Sequence, residues 1–306
     1  MRRVWTCSGL RWSGDGPVLV WGGGRVSPLA PGQRVAFGVV DGGARTCVGA
    51  RGNACPVRAA VSPRGTGARC EECARLDRAH SVAADTLADD PRPYHVYLAW
   101  FGPGMVKVGI TRVERGSTRL LEQGALTFSW IGRGPLMAAR RAEELLRAAL
   151  KVPDRIPYAD KRAVRAELPG AGERVAEIRE LHARVGRLDG WPESLRRESF
   201  EPVDHTDVFG LAGLPPARGV VSELAAGGVI DGELCGAAGP DLHLGTGRGV
   251  VVLDTRLMTG WDLTGVGDRR DPGDGHVPGR VDGDAGVTFP VRELKATDPV
   301  IQDGLF

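Results

Sequence analysis

Over the first stretch of the chain, apolar residues come in short runs rather than at helical spacing. Trp5 to Trp12, Val18 to Trp21 and Arg34 to Val40 are such runs. They are separated by Ser13 to Pro17, Gly22 to Gly24 and Pro31-Gly32, so residues 1–46 are predicted as β-structure. From Cys47 to Cys73 periodicity is weak, and a helix is predicted after Cys73, over Ala74 to Ala79. Asp89, Asp90, Pro91, Arg92 and Pro93 form a breaker cluster that marks a boundary. Beyond it, Tyr94 to Phe101 and Met105 to Ile110 read as two strands joined by a turn at Gly102-Pro103-Gly104, hence a hairpin. A short helix is predicted over Gly116 to Gln123 with its stop at Gly124, then a strand over Leu126 to Ile131. Leu136 to Leu150 carries strong helix formers and an apolar stripe at helical spacing. A further helix is predicted over Gly172 to Leu188.

From about residue 200 glycine and proline punctuate short apolar runs, Val208 to Leu214, Val220 to Ile230, Asp241 to Leu244 and Val250 to Leu253. They form either a small barrel-like module or a set of strands paired with the N-terminal ones. Gly265 to Gly286 is acidic and glycine-rich and reads as a loop. The pattern therefore divides the chain into 1–90, 91–198 and 199–306, with an α+β fold throughout.

Composition narrows the picture little. The 306 residues are 42% hydrophobic with a formal net charge of only +2, so no global basic field draws the chain to nucleic acid. No apolar run reaches the roughly 20 residues of a membrane span. The opening Met1-Arg2-Arg3-Val4-Trp5 lacks the apolar core of a signal peptide, so a cytoplasmic protein is expected.

The cysteines change the picture. Four of six cluster as Cys47, Cys55, Cys70 and Cys73, with seven, fourteen and two residues between them; Cys7 and Cys235 stand alone. Four thiolates satisfy tetrahedral zinc, and Cys70-Glu71-Glu72-Cys73 has the spacing that lets two sulfurs face one ion. The opening pair is wider than usual. The competing reading is four buried free thiols acting as small apolar residues. A closed four-thiolate zinc serves folding rather than catalysis. His80 and Cys7 are the alternative ligands, and Cys235 is expected in the core.

The hairpin carries the remaining chemistry. His95-Val96-Tyr97, then Lys107-Val108-Gly109-Ile110-Thr111, then Arg119-Leu120 on a following helix resembles the GIY-YIG nuclease superfamily, in a branch with Lys-Val-Gly-Ile-Thr in place of the second triplet. More narrowly, the cysteine cluster followed by Val96 to Ala99, Lys107 to Arg112 and Arg119 to Ala125 is similar to an uncharacterised family, a domain of unknown function. The nuclease-like part covers residues 94–152. The resemblance implies a small antiparallel sheet with flanking helices and a metal-dependent phosphodiesterase. In it Tyr97 orients or deprotonates a water and Arg119 neutralises charge on the scissile phosphate. Glu143 or Glu144, with Glu143 favoured by Ala139 four residues before it, holds Mg2+ or Mn2+. Gly109 is the motif glycine. His95 replaces the first motif's glycine and Lys107 its second tyrosine; Lys107 could bind phosphate and His95 could act as base. Thr111, Arg112 and Arg140 join them as candidate substrate contacts, and Arg115, Arg133 and Arg141 add local positive charge.

Each of these residues has an ordinary explanation. Tyr97 could pack a sheet, Arg119 could be solvated, and Glu143 and Glu144 lie at ion-pair spacing from Arg140, Arg141 and Arg147. Two functions therefore stand: cleavage of DNA or RNA, or binding of nucleic acid by a zinc-containing protein that has lost cleavage.

Overall fold

The structure, a computed structural model, describes residues 3–79, 90–153, 155–266 and 286–294. The N-terminal strands are β1 (Val4–Ser13), β2 (Gly16–Trp21), β3 (Val26–Pro28) and β4 (Arg34–Val39), followed by helix α1 (Glu71–Arg78). The middle of the chain holds β5 (Pro93–Trp100), β6 (Val106–Arg112), α2 (Thr118–Gln123), β7 (Thr127–Pro135) and α3 (Leu136–Leu150). Next come α4 (Tyr158–Val164), α5 (Ala171–Gly186), β8 (Arg196–Arg197) and β9 (Val203–Asp204). The last part supplies β10 (Ala217–Val221), β11 (Val229–Ala238), β12 (Asp241–Thr246), β13 (Gly249–Asp254), β14 (Asp262–Gly265) and β15 (Val291–Glu293).

Two sheets organise these strands in a mixed α+β fold. The smaller has the order β6-β5-β7-β8, with β9 also paired to β7. Its centre is the predicted hairpin, and β5 is covered on both faces. Tyr94, Val96, Leu98 and Trp100 enter the main core with Ala139, Ala142 and Leu146 of α3. The alternate residues Tyr97, Ala99 and Phe101 pack with Leu120, Ala125, Phe128 and Ile156. Burial on both sides explains why β5 reads as a continuous apolar run.

The larger sheet has the order β15-β10-β13-β12-β11-β4-β14-β1-β2-β3. Its N- and C-terminal strands interleave: β4 lies between β11 and β14, and β14 lies between β4 and β1. The segments bounded at 1–90 and 199–306 thus share one sheet, the pairing arrangement of the two left open by the sequence. The physical reason is edge satisfaction, since each set alone would leave long ladders of unpaired backbone groups. β1 makes the join by changing partner along its length. Val4 to Thr6 face β14, and Cys7 to Ser13 face β2, with an irregularity between Cys7 and Gly9.

The predicted helix over Leu136 to Leu150 and the stop of α2 at Gly124 are found. The helix predicted after Cys73 begins earlier, at Glu71. The run Val208 to Leu214 is no strand: Gly210 and Gly213 have φ of 64° and 69°, which break an extended run, and Phe209, Leu211 and Leu214 are buried as a plug. Helix α4 was not predicted. His80 and nearly all of the predicted loop Gly265 to Gly286 lie outside the described residues. Among the described residues, no helix is long and apolar enough to cross a membrane.

Candidate functional site

Two places gather chemistry. The first is the cysteine segment. Cys47 sits on a loop whose backbone is pinned by Cys47 N to Ala59 O at 2.8 Å and Val48 N to Ala68 O at 3.0 Å. Cys70 caps α1 and Cys73 lies in its first turn, so the helix start presents both sulfurs to one point. All four sulfurs of Cys47, Cys55, Cys70 and Cys73 lie within 4.8 Å of one another. Tetrahedral zinc with bonds of about 2.3 Å needs sulfurs roughly 3.8 Å apart, so the donor set fits. The backbone N–H groups of Gly49 and Cys70 donate to Cys47 Sγ, at 3.4 and 3.2 Å. A backbone bond from Ala59 is the main cause that pulls the Cys55 thiol down to about 7, favouring the thiolate a metal takes. Burial, reinforced by the neighbouring sulfurs, pushes the Cys73 thiol up to about 12. A cation among the sulfurs would offset such crowding.

Cys7 is outside this cluster, fully buried, with its thiol pushed up to about 12 by burial. Cys235 packs at the edge of the main core. The cysteine segment is moored to the large sheet by Arg45, only 2% exposed, which donates to the carbonyls of Thr259, Ser62, Gly65 and Arg256.

The second place is the front face of the hairpin. In the ladder Tyr97 lies opposite Gly109, His95 opposite Thr111 and Ala99 opposite Lys107. Strand alternation therefore puts His95, Tyr97, Lys107, Gly109 and Thr111 on one face. Gly109 is required there: a Cβ would overlap the Tyr97 phenol, which crosses the strand at this point. Tyr97 is 2% exposed, and its Oη accepts a hydrogen bond from Gln123 Nε2 of α2 at 3.0 Å. Burial raises the phenol's pKa; the Gln123 bond and the charges of Arg119 and Arg115 oppose the rise, and Glu143 adds to it. Arg119, Arg115 and Glu143 are thus all near enough to act on Tyr97.

Arg119 is exposed and lies 3.6 Å from Glu122, to which Arg115 makes a tighter pair at 2.7 Å. Glu143 is half-buried while Glu144 is exposed. Arg140 is half-buried beside them, its guanidinium 3.9 Å from Met137 Sδ. His95 stacks on Trp130 at 4.4 Å, and its Nδ1 lies 3.7 Å from Glu198. Burial lowers its pKa and keeps the ring neutral. His95 Nδ1 and Thr111 Oγ1, neighbours across the ladder, have no hydrogen-bond partner among the described residues.

Arg112 does not join this face. It lies opposite Tyr94, donates to Tyr94 Oη at 3.1 Å and approaches Asp90 at 3.4 Å, so alternation commits it to the other side of the sheet. Trp100 is fully buried, with its indole nitrogen on Glu177, and Tyr94 is fully buried as well.

Lys161 was not among the expected site residues. Its amine sits 3.8 Å over the Phe101 ring and 4.4 Å over Tyr158, and donates to Gln123 O at 3.0 Å. Burial, with the charges of Lys107 and Arg165, pushes its pKa down to about 7. Its only signal was a lysine among the aromatic and charged residues of a segment without clear periodicity.

Fold and donor set together define a mixed α+β protein with a cluster of four cysteines placed to hold a metal such as zinc. The chain belongs to the family described as "Protein of unknown function (DUF2797)", which matches residues 32–263 and so takes in the cysteine cluster, the hairpin and most of the large sheet. No curated protein and no solved structure matches the chain.

Proposed function

We propose that this is a zinc-stabilised nucleic-acid-binding protein of a reducing compartment such as the cytoplasm, built on a GIY-YIG-like core that has kept phosphate contacts and lost cleavage. One observation carries the reading: the Tyr97 phenol is closed off at 2% exposure and held by Gln123, while Arg115 and Arg119, whose charges act on it, remain exposed. A buried phenol cannot reach a water beside a phosphate. Exposed guanidiniums can still take phosphate oxygens in their planar fork.

A second reading, a phosphodiesterase using Mg2+ or Mn2+ at Glu143, is favoured by the electrostatic convergence of Tyr97, Arg119 and Glu143. It requires α2 to move so that Gln123 releases Tyr97. Binding of labelled single- and double-stranded DNA and RNA, followed by anisotropy, separates the readings. With about three phosphate contacts, affinity should fall roughly 40-fold between 50 and 200 mM salt. Arg115→Ala with Arg119→Ala should weaken binding by about tenfold or more. No nicking should appear with either metal. Nicking that Arg119→Ala abolishes would replace the first reading by the second. No binding to any of the four nucleic acids at low salt would end both.

A further inference from the structure

Three distant parts of the chain build a cavity of about 260 Å3. Arg64 and Thr66 come from the cysteine segment, Arg162 from α4, and Ser222, Asp254 and Arg292 from the large sheet and its margins. Part of its wall is rigid. The side chains of Arg162 and Asp254 are only 9% and 4% exposed. Arg162 spends Nε and Nη2 on Asp241 and Asp254, at distances from 2.6 to 3.0 Å, and its Nη1 has no hydrogen bond among the described residues. Asp254 is engaged in turn by the Arg256 fork at 2.6 and 2.9 Å. The buried carboxylates are therefore already neutralised from within.

The rim is different. Arg64 is 80% exposed on its side chain and pairs with Glu223 at 2.6 Å, an exposed contact that a ligand can displace. Arg292, on the edge strand β15, has no ion-pair partner among the described residues. Among the described residues the cavity lining holds three arginines, Arg64, Arg162 and Arg292, against one carboxylate, Asp254, with Glu223 paired to Arg64 at the rim.

From this geometry we infer a binding site for a small phosphate monoester, distinct from the nucleic-acid surface proposed above. Guanidiniums that approach from three walls match a tetrahedral dianion, which accepts hydrogen bonds on all sides. A planar carboxylate would engage a single fork. The volume exceeds what a bare phosphate fills, and Val220, Val221 and Leu257 line the rest of the cavity with apolar surface for the organic part.

Titration calorimetry on the zinc-loaded full chain tests this with inorganic phosphate, adenosine monophosphate and adenosine. The monophosphate should bind, adenosine should not, and Arg292→Gln or Arg64→Gln should each weaken binding by about tenfold. Both arginines are exposed, so these variants should melt like the parent and leave nucleic-acid binding unchanged. Equal affinity for inorganic phosphate and the monophosphate would uphold the anion chemistry and name free phosphate as its source. No heat from either anion at about 10 mM, or binding that both substitutions leave intact, would overturn the site.

Discussion

Gly109 and Tyr97 face each other across two strands, and each explains the other: the glycine exists because the phenol needs its space. The hairpin was legible in the sequence, but the sealing of the phenol was not, because Gln123 reaches it from a helix whose placement no local pattern encodes. His243 makes a similar point. It lies beside Arg165 and Asp241 in the interior, and burial, with the Arg165 charge, lowers its pKa to about 3 from an ordinary 6.5. The folded chain keeps this ring neutral, while the unfolded chain takes up a proton below about pH 6.5. Its contribution is thus fully present above that pH and is lost as pH falls toward 3. His95, His182 and His205 shift in the same direction. Chemical unfolding of the zinc-loaded protein should show His243 alone removing about 2 kcal/mol between pH 7.5 and 5. His243→Asn should flatten that part of the curve; an unchanged slope would mean that the ring is solvated.

Among elements, α1 matters because its N-cap and first turn carry two of the four sulfurs, so a bound metal and the helix would depend on each other. The protein should hold a single zinc per chain by atomic absorption. Cys73→Ser or Cys47→Ser should abolish stoichiometric zinc and lower the melting temperature, whereas Cys7→Ser should leave the zinc content untouched. Zinc that survives both cluster substitutions would disprove the centre. The Cys70–Cys73 knuckle announced itself by spacing. The reach of Cys47 and Cys55 to the same point comes from a loop tied down by Ala59 and Ala68. Helix α3 was legible to its ends because fifteen residues of one periodicity outweigh local noise. α4 was not, because seven residues crowded with charge show no stripe; its charges are spent on partners such as Asp241.

On the scale of the whole molecule, the first and last thirds are halves of one sheet. A fragment of residues 1–198 would leave β4 without β11 and β14 and β1 without β14. It should aggregate or remain unfolded, and size-exclusion chromatography with circular dichroism checks this; a monomer that melts cooperatively would refute the account. The chain by itself determined the alternation of strands and helices, the four sulfur donors and the order of chemical residues along the hairpin. Those properties depend on neighbours within about a turn or a strand. Only the folded structure decided that N- and C-terminal strands interleave, that Arg112 turns away from Tyr97, and that three remote arginines enclose one cavity. Such outcomes are set by burial and pairing between residues more than two hundred positions apart, such as Val4 and Thr264, and no local period records them.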